Sequence, residues 1–257
     1  MSIQTTKTNG VLTIEFDRLE RKNAITGAMY STMAEALLDA EQDPQVRAVL
    51  ITGKPEIFTA GNDLDDFLNN AGDGAMTEDR PVFQFMKALE GCTKPVVAAV
   101  AGAAVGIGTT MLMHCDLVYC ADNARFSMPF TQLGLCPEFA SSLLVAQAAG
   151  YTRAAEKLML GEAFTAQEAF EMGIVAKVLP AAELLAFAQG QAMKLVALPA
   201  ASIRATKALM RRPRAAIVAE TMNVENKQFG AMLVGAEAKE AFTAFFQKRK
   251  PDFSKFD

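Results

Sequence analysis

Residues 102–142 read GAAVGIGTTMLMHCDLVYCADNARFSMPFTQLGLCPEFASS, and this stretch decides the fold and the chemistry that we expect. It begins as a small, apolar segment in which Gly106 and Gly108 stand where a helix is predicted to start. It ends near Glu138, in a segment with little other charge. A helix N-terminus offers free N–H groups and a positive dipole end, and a carboxylate in apolar surroundings has a raised pKa. The stretch therefore predicts an anion-stabilising turn beside a general base.

The composition is that of a globular protein with a large core. The chain has 257 residues, of which 51% are hydrophobic and 21% are charged. This length favours one large domain with an appended piece over two equal domains. The formal net charge of −4 argues against nucleic acid and against an anionic membrane as partners. The four cysteines have no CxxC spacing and there is one histidine, so we expect reduced, structural thiols and no metal site.

Neither targeting nor membrane insertion is indicated. The N-terminal MSIQTTKTNG contains no apolar segment and no Arg/Ser-rich amphipathic pattern, so we expect a cytoplasmic protein. Residues 95–113 carry no formal charge and approach the length of a membrane span. Because this run starts with a proline and consists largely of Ala, Gly and Val, it predicts a buried strand, turn and helix instead.

Strand and helix patterns alternate along the first two thirds of the chain. Asn9-Gly10 predicts a hairpin within residues 2–16, and Thr26 is the expected N-cap of a helix that continues to about residue 43. Further strands are predicted at 46–52, 96–100, 117–120, 125–128 and 174–179, helices at 81–91, 140–149 and 153–160, a capping box at 165–168, and a surface loop at 69–77. Residues 181–248 read as helix with breaks near Pro199 and Pro213. We therefore predict an α/β core followed by an all-helical C-terminal region.

Two common catalytic motifs are absent. The GIG at 106–108 lacks the third glycine of GxGxxG, because Met111 occupies that position, and this excludes a dinucleotide site of that type. The chain has no GxSxG motif. His114 lies in an apolar segment and is expected to be a core histidine with a local hydrogen bond.

Several motifs occur together in a fixed order: FTAGNDL at 58–64, then GAAVGIG, CDLVYCADNARF, LGLCPE and EAFEMGIVAKV, with RKNAIT near the start and FFQKRKPDF near the end. In these motifs the chain resembles the crotonase (enoyl-CoA hydratase/isomerase) superfamily over essentially its whole length, and is most similar to the peroxisomal-type Δ3,Δ2-enoyl-CoA isomerases. The resemblance implies a crotonase-like spiral of ββα units, with an acyl-CoA-binding core at 1–200. Residues 201–257 would form a helical region that covers the active site and contributes to trimerisation.

The resemblance also implies a substrate and an assembly. The substrate would be an acyl-CoA thioester, with no separate cofactor because coenzyme A is part of the substrate. The expected assembly is a homotrimer or a hexamer formed as a dimer of trimers. Nucleic-acid and membrane partners are not expected.

Site residues follow from the resemblance by position. The backbone N–H groups of Asn62 and Ile107 would form an oxyanion hole, and Glu138 matches the single catalytic glutamate of the isomerases. The predicted substrate- and CoA-binding residues are Lys22, Ala24, Ala60, Gly61, Asn62, Asp63, Leu64, Gly106, Phe130, Leu133 and Lys248, with Lys250 as an alternative phosphate contact and Phe67, Phe83 and Met86 as further acyl-tunnel candidates. Each assignment has a structural alternative: an Asn before Asp is often a helix cap, a loop glutamate is often solvated, and the apolar residues fit a plain core.

The reaction depends on the acids. Hydratases of this family use two glutamates, at positions that hold Thr110 and Phe130 here. Neither side chain transfers a proton to or from water, so the departure disfavours hydration. Isomerisation needs one shuttling carboxylate, for which Glu138 is the candidate. Other crotonase-type reactions remain alternatives, as does a CoA-ester- or RNA-binding scaffold, which the negative net charge disfavours.

Overall fold

A computed structural model describes residues 2–69 and 79–256, without the side chains of residues 67–69. The loop predicted at 69–77 lies outside the described residues, except for Asn69, and nothing of the Phe67 side chain is described. The strands are β1 Ile3–Thr8, β2 Val11–Phe16, β3 Ala48–Thr52, β4 Ile57–Thr59, β5 Val96–Val100, β6 Ala103–Val105, β7 Leu117–Ala121, β8 Arg125–Ser127, β9 Phe164–Thr165 and β10 Lys177–Leu179. The helices are α1 Gly27–Gln42, α2 Leu64–Asn69, α3 Pro81–Gly91, α4 Ile107–Thr110, α5 Ser141–Ala149, α6 Tyr151–Leu160, α7 Ala166–Glu171, α8 Ala181–Ala197, α9 Ala200–Arg211, α10 Ala215–Leu233 and α11 Ala236–Phe246.

From β3 to β8, successive strands alternate between two sheets. The larger sheet has the order β1-β2-β3-β5-β7-β10, and the smaller sheet has the order β4-β6-β8-β9. Strands β3, β5, β7 and β10 are mutually parallel neighbours, as are β4, β6 and β8. Each pair of a large-sheet strand and a small-sheet strand is followed by a helix, so β3-β4-α2, β5-β6-α4 and β7-β8-α5 repeat the same unit. The predicted spiral of ββα units is confirmed.

Local sequence signals account for most of these elements. Strand β3 is an unbroken AVLIT run in which all five residues are buried, as expected for a parallel strand covered on both faces. Helix α1 begins where Thr26 accepts a hydrogen bond from the Met29 N–H at 3.4 Å. Its apolar stripe, which includes Met33 and Leu37, is buried, and the helix packs against α3. The predicted hairpin and the capping box at Thr165 are also present.

Two boundaries differ from the prediction. Residues 174–176 are not part of β10, because the N–H groups of Ile174 and Val175 bond back to the carbonyl of Ala169 at the end of α7. The C-terminal helical region breaks near Pro199 and Pro213 as expected, but also at Gly235, between α10 and α11. A Cβ at Gly235 would lie 2.9 Å from the Met232 carbonyl oxygen, so the close turn there requires glycine.

The predicted membrane-length run at 95–113 is divided among β5, β6, α4 and a 3₁₀ turn at Met111–His114. In the described parts of the chain, no single helix is long and apolar enough to cross a membrane. One pair of segments, Ala181–Ala197 and Ala200–Leu233, reaches that length and composition together, but it is bent by 108°.

Asn23 connects the segment before α1 to β4 and gives a test of the fold. It is fully buried with φ of 54°, its amide nitrogen donates to the carbonyls of Ile57 and Phe58 at 3.1 and 3.0 Å, and its amide oxygen accepts the Arg18 N–H at 2.7 Å. We expect Asn23→Ala to lower the free energy of unfolding by about 2–4 kcal/mol in urea titrations, because the three hydrogen bonds of the buried Asn23 side chain are lost, including the fully buried one to the Phe58 carbonyl. Asn9→Ala is the matched control, since Asn9 has a similar φ of 50° but is exposed. Equal losses in the two variants would contradict the assignment of the effect to buried hydrogen bonds.

Candidate active site

A parallel bridge holds the loop after β4 against the segment before α1. The Ile25 N–H donates to the Gly61 carbonyl at 2.8 Å, and the Asp63 N–H donates to the Ile25 carbonyl at 2.9 Å. These two hydrogen bonds involve the Gly61 carbonyl and the Asp63 N–H, which flank Asn62. The N–H of Asn62 itself takes part in neither. Within the described parts of the chain, that N–H donates to no carbonyl. The bridge therefore presents an unpaired backbone donor.

The side chains of Asn62 and Asp63 have different partners. Asp63 caps α2, because its Oδ1 accepts the Asp66 N–H at 3.2 Å, and its Oδ2 pairs with the Arg18 guanidinium at 2.7 Å. Asn62 instead accepts the Tyr30 hydroxyl on Oδ1 at 2.5 Å. The helix cap suggested by the Asn-Asp pair is thus the aspartate, and Asn62 is held separately by a buried tyrosine.

The turn before α4 presents a second unpaired donor. Gly106 has φ of 56° and ψ of −119°, a conformation open to glycine, and its N–H donates to the Ser127 carbonyl at 2.9 Å. Ile107 is the first residue of α4, so its N–H has no carbonyl within the helix. The helix ends at Thr110 and continues as a 3₁₀ turn. A helix of four residues has only a small dipole. The free N–H group of Ile107 is therefore the main feature that this predicted helix start offers to an anion.

Glycines allow these two turns to touch. A Cβ on Gly61, which has φ of +84°, would lie 2.7 Å from the Val105 carbonyl oxygen. A Cβ on Gly108 would lie 2.4 Å from the Thr59 Cγ2. The two free N–H groups therefore belong to backbone segments in direct contact.

Glu138 is a buried carboxyl group with few partners. Its side chain is 5% exposed, and Oε1 has no hydrogen-bond partner in the described residues. Burial and the nearby charge of Glu225 raise its pKa to about 8. At neutral pH this carboxyl group is protonated in most molecules, and a small rise in pH converts it to the carboxylate, which is a base. A group with this pKa suits proton transfer near physiological pH.

One cavity of about 950 Å³ collects these groups. Asn62, Ile107 and Glu138 all line it. Of the predicted binding residues, its lining includes Ala24, Ala60, Gly61, Asp63, Leu64, Gly106, Phe130 and Leu133. Residues that the sequence did not single out also contribute, and they include Phe229 of α10, Phe242 and Phe246 of α11, and Phe253. Phe229, Phe242 and Phe246 lie on helices and Phe253 follows α11, and local sequence patterns do not indicate which cavity such side chains meet.

The basic residues at the cavity differ from those expected. Lys22 and Lys248 are exposed and are not among the lining residues, so their contacts with coenzyme A stay a prediction. The backbone carbonyl of Lys22 accepts a hydrogen bond from the Ala60 N–H at 3.0 Å. Arg21 and Arg249 line the cavity together with Lys250, the alternative phosphate contact. Arg21 is adjacent to Lys22, and Arg249 is adjacent to Lys248. The sequence does not show which of two adjacent basic side chains is directed towards the cavity.

Thr110 and Phe130 occupy the positions at which hydratases of the family have glutamates. Thr110 is fully buried outside the lining, and its hydroxyl oxygen has no partner in the described residues. Phe130 lines the cavity and packs edge-on against Phe229, with ring centroids 6.5 Å apart. Neither residue brings an acid to the cavity.

The described lining contains three acidic residues: Asp63, Asp65 and Glu138. Asp63 pairs with Arg18, and Asp65 pairs with Arg21 at 2.8 Å. No such ion pair is recorded for Glu138 within the described residues. It is the carboxyl group of the lining that is not neutralised by an arginine.

The raised pKa of Glu138 predicts a pH-dependent cost to stability. In the unfolded chain its carboxyl ionises near 4.5, whereas the folded protein holds the proton until about pH 8. The folded state therefore binds more protons in this window, and its stability falls as pH rises from 4.5 to 8. Glu138→Gln removes the titrating group. We therefore expect the free energy of unfolding of the variant, relative to that of the wild type, to rise by up to about 1.4 kcal/mol per pH unit between pH 4.5 and 8. Urea titrations at pH 4 and 8.5 measure the gap, and a gap independent of pH would contradict the raised pKa.

Comparison with known proteins agrees with this architecture. The sequence matches the Enoyl-CoA hydratase/isomerase family over residues 6–255. It is 31% identical to a probable enoyl-CoA hydratase (echA8) of Mycobacterium leprae, covering 95% of this chain and 94% of that protein, and 38% identical to the peroxisomal enoyl-CoA delta isomerase 3 of Mus musculus, covering 69% and 57%. The crystal structure of an enoyl-CoA hydratase/isomerase from Pseudoalteromonas atlantica T6c has a TM-score of 0.93 to this chain at 40% identity, covering 98% of this chain and 100% of that one. The chain belongs to the enoyl-CoA hydratase/isomerase family.

Proposed function

We propose that the protein moves the double bond of an unsaturated fatty acyl-CoA from position 3 to position 2. The observation that carries this proposal is that Glu138 is the one carboxyl group of the described lining without an arginine partner, in a cavity also lined by Asn62 and Ile107, whose backbone N–H groups are unpaired. Hydration in the family's manner needs a second acid, and Thr110 and Phe130 do not supply one. Isomerisation adds no water and needs one group that removes and returns a proton.

In the proposed mechanism the thioester carbonyl oxygen accepts hydrogen bonds from the N–H groups of Asn62 and Ile107. The ionised Glu138 carboxylate removes a proton from C2, and the electron pair of the C–H bond forms a dienolate whose negative charge rests on the carbonyl oxygen. The two N–H groups stabilise this charge without reorganisation, because the parallel bridge and the Gly106 turn already hold them in place. Protonated Glu138 then gives the same proton to C4, which leaves the double bond between C2 and C3 and regenerates the carboxylate.

The cavity wall supports an apolar acyl chain and a polar nucleotide end. Phe130, Leu133 and Leu135 line the cavity together with Glu138, and Phe229 and Phe242 are contributed by the C-terminal helices. This contribution supports the proposed covering role of residues 201–257. Arg21, Arg249 and Lys250 are the basic residues of the described lining. Arg21 pairs with Asp65 and Arg249 pairs with Glu240, so Lys250 is the cation of the described lining that is open to a phosphate of coenzyme A.

Assembly into trimers is part of the same proposal. Large apolar side chains are exposed on the single chain, among them Tyr151 and Met159 of α6 and Leu209 and Met210 of α9. Such surfaces support contacts between copies of the chain.

Hydration is the second candidate, and the name of the mycobacterial relative favours it. The two reactions are separated by giving the purified protein a 3-enoyl-CoA and a 2-enoyl-CoA in separate assays. We expect the first to become the conjugated 2-enoyl-CoA, seen by ultraviolet absorbance, and the second to gain no water by mass spectrometry. Rapid hydration of the 2-enoyl-CoA without isomerisation of the 3-enoyl-CoA would refute the proposal.

The role of Glu138 is tested by Glu138→Gln, which keeps the size of the side chain and removes the base. We expect kcat for isomerisation to fall about 10²–10⁴-fold, while binding of the CoA ester is nearly unchanged, because general acid–base catalysis contributes to turnover rather than to ground-state affinity. Glu220→Gln on the exposed face of α10 is the control and should keep full activity. An active Glu138→Gln variant would remove Glu138 from the mechanism.

A further inference from the structure

Two consecutive residues after Glu138 have a backbone conformation that L-amino acids rarely adopt. Phe139 and Ala140 have φ of 58° and 56°. Each such residue costs of the order of 1 kcal/mol, so surrounding contacts must hold this pair in place. The Glu138 carbonyl accepts the Ser141 N–H at 3.1 Å and the Ser141 hydroxyl at 2.6 Å, which closes the turn. The direction of the Glu138 side chain depends on this turn.

Glu225, on α10, provides the largest set of contacts to the turn from outside it. Its Oε2 accepts the Ala140 N–H at 2.6 Å, and its Oε1 accepts the Ser142 N–H at 3.0 Å and the Ser142 hydroxyl at 2.5 Å. The carbonyl of Glu225 also lies 3.8 Å from the Cys136 Sγ, which donates to it. Helix α10 therefore forms hydrogen bonds with the chain before Glu138, at Cys136, and after it, at Ala140 and Ser142.

His114 supports the same turn from the opposite direction. Its ring stacks on the Phe139 ring with centroids 3.8 Å apart, and its Nε2 lies 2.9 Å from the Phe139 carbonyl. Burial lowers the pKa of His114 to about 3, so the ring is neutral and Nε2 donates to that carbonyl. This contact carries no charge that varies near neutral pH, which leaves Glu225 as the charged support.

The two buried carboxyl groups have opposite surroundings. Burial raises the pKa of both carboxyl groups, but at Glu225 three hydrogen bonds oppose that rise by favouring the ionised form, whereas Oε1 of Glu138 receives none from the described residues. When two carboxyl groups interact, the one with donors ionises first, and its charge then holds the proton on the other.

The other titratable groups facing this pair do not change charge near neutral pH. Tyr30, of α1, feels the Glu138 charge, and burial raises its pKa well above the ordinary value. Cys136 lies beside Glu225, and burial raises its pKa to about 11. The positive charges of Arg211 and Arg214 add to the effect of burial in lowering the pKa of His114. The pH response of the turn between pH 5 and 9 thus comes from the two glutamates.

We propose that Glu225 is the positioning residue of this site: it holds the Phe139–Ala140 turn that directs Glu138 into the cavity, and it carries the negative charge of the carboxyl pair while Glu138 holds the proton. Glu225 is not among the described residues that line the cavity. The proposal rests on the proposed proton-shuttle function for its catalytic meaning, but the coupling between the two carboxyl groups exists in the ligand-free protein and is measurable without turnover.

The test is the titration of Glu138 in the ligand-free protein by difference infrared spectroscopy. The protonated C=O band of Glu138 is assigned by its loss in Glu138→Gln, and its midpoint in the wild type is expected near pH 8. In Glu225→Gln we expect the midpoint to fall by about one pH unit or more, because a like charge is removed. We also expect kcat to fall about 10-fold or more with a smaller change in KM, because the turn loses a hydrogen bond that an amide nitrogen does not accept. Glu220→Gln, on the exposed face of the same helix, should change neither quantity.

A folded Glu225→Gln variant with an unchanged Glu138 midpoint would overturn the proposal and leave Glu225 as a helix cap for α5. If Glu225→Gln does not fold, Glu138→Gln decides the question alone: it should abolish the upper carboxyl titration step and keep the lower one. Loss of the lower step would overturn the proposal. These midpoints are independent of the reaction catalysed, so a Glu138→Gln variant that stays active refutes the proposed function and leaves the coupling of the two glutamates to be judged by the titration.

Discussion

The contact between two backbone turns is the constraint on which the candidate site depends. Gly61 lies against the Val105 carbonyl, and Gly108 lies against Thr59, at distances that leave no room for a Cβ. A side chain at either position would separate the small-sheet strand β4 from the turn before α4. Both free N–H groups would then lose their common cavity. The oxyanion-stabilising geometry is thus a consequence of sheet packing, and the amides need no side chain of their own.

The candidate base is subject to the opposite requirement. Backbone and polar groups around the cavity are largely paired, but Glu138 has an oxygen atom without a partner. This arrangement disfavours the ionised form and lowers stability at the pH at which the base is needed. It also provides the reactivity, since hydrogen-bond donors of the kind that surround Glu225 would weaken Glu138 as a base. The site therefore places two glutamates in one buried region and gives nearly all of the hydrogen bonds to the one outside the cavity.

The sequence predicted well those features that depend on neighbours along the chain. The Asn9-Gly10 hairpin, the Thr26 cap and the buried β3 run are all present, because turn geometry, capping and periodicity act over a few residues. The family motifs also predicted correctly the ββα spiral, for which no local rule exists. The break at Gly235 was missed, since a lone glycine in a helical pattern is often tolerated. Lys22 and Arg21 show a further limit, because side-chain direction in a tight turn depends on contacts across the fold.

The sequence by itself determined which residue types stand at each position of the site, including Thr110 and Phe130 where an acid would be needed for hydration. It also determined most of the order of strands and helices, through patterns that repeat every two or every three to four residues, but not the short strands β6 and β9. Only the tertiary structure decided which carboxylate stands without a donor and that Glu225 faces Glu138. The physical reason is that ionisation depends on desolvation and on charges brought together from distant segments, and these exist only once the chain has folded.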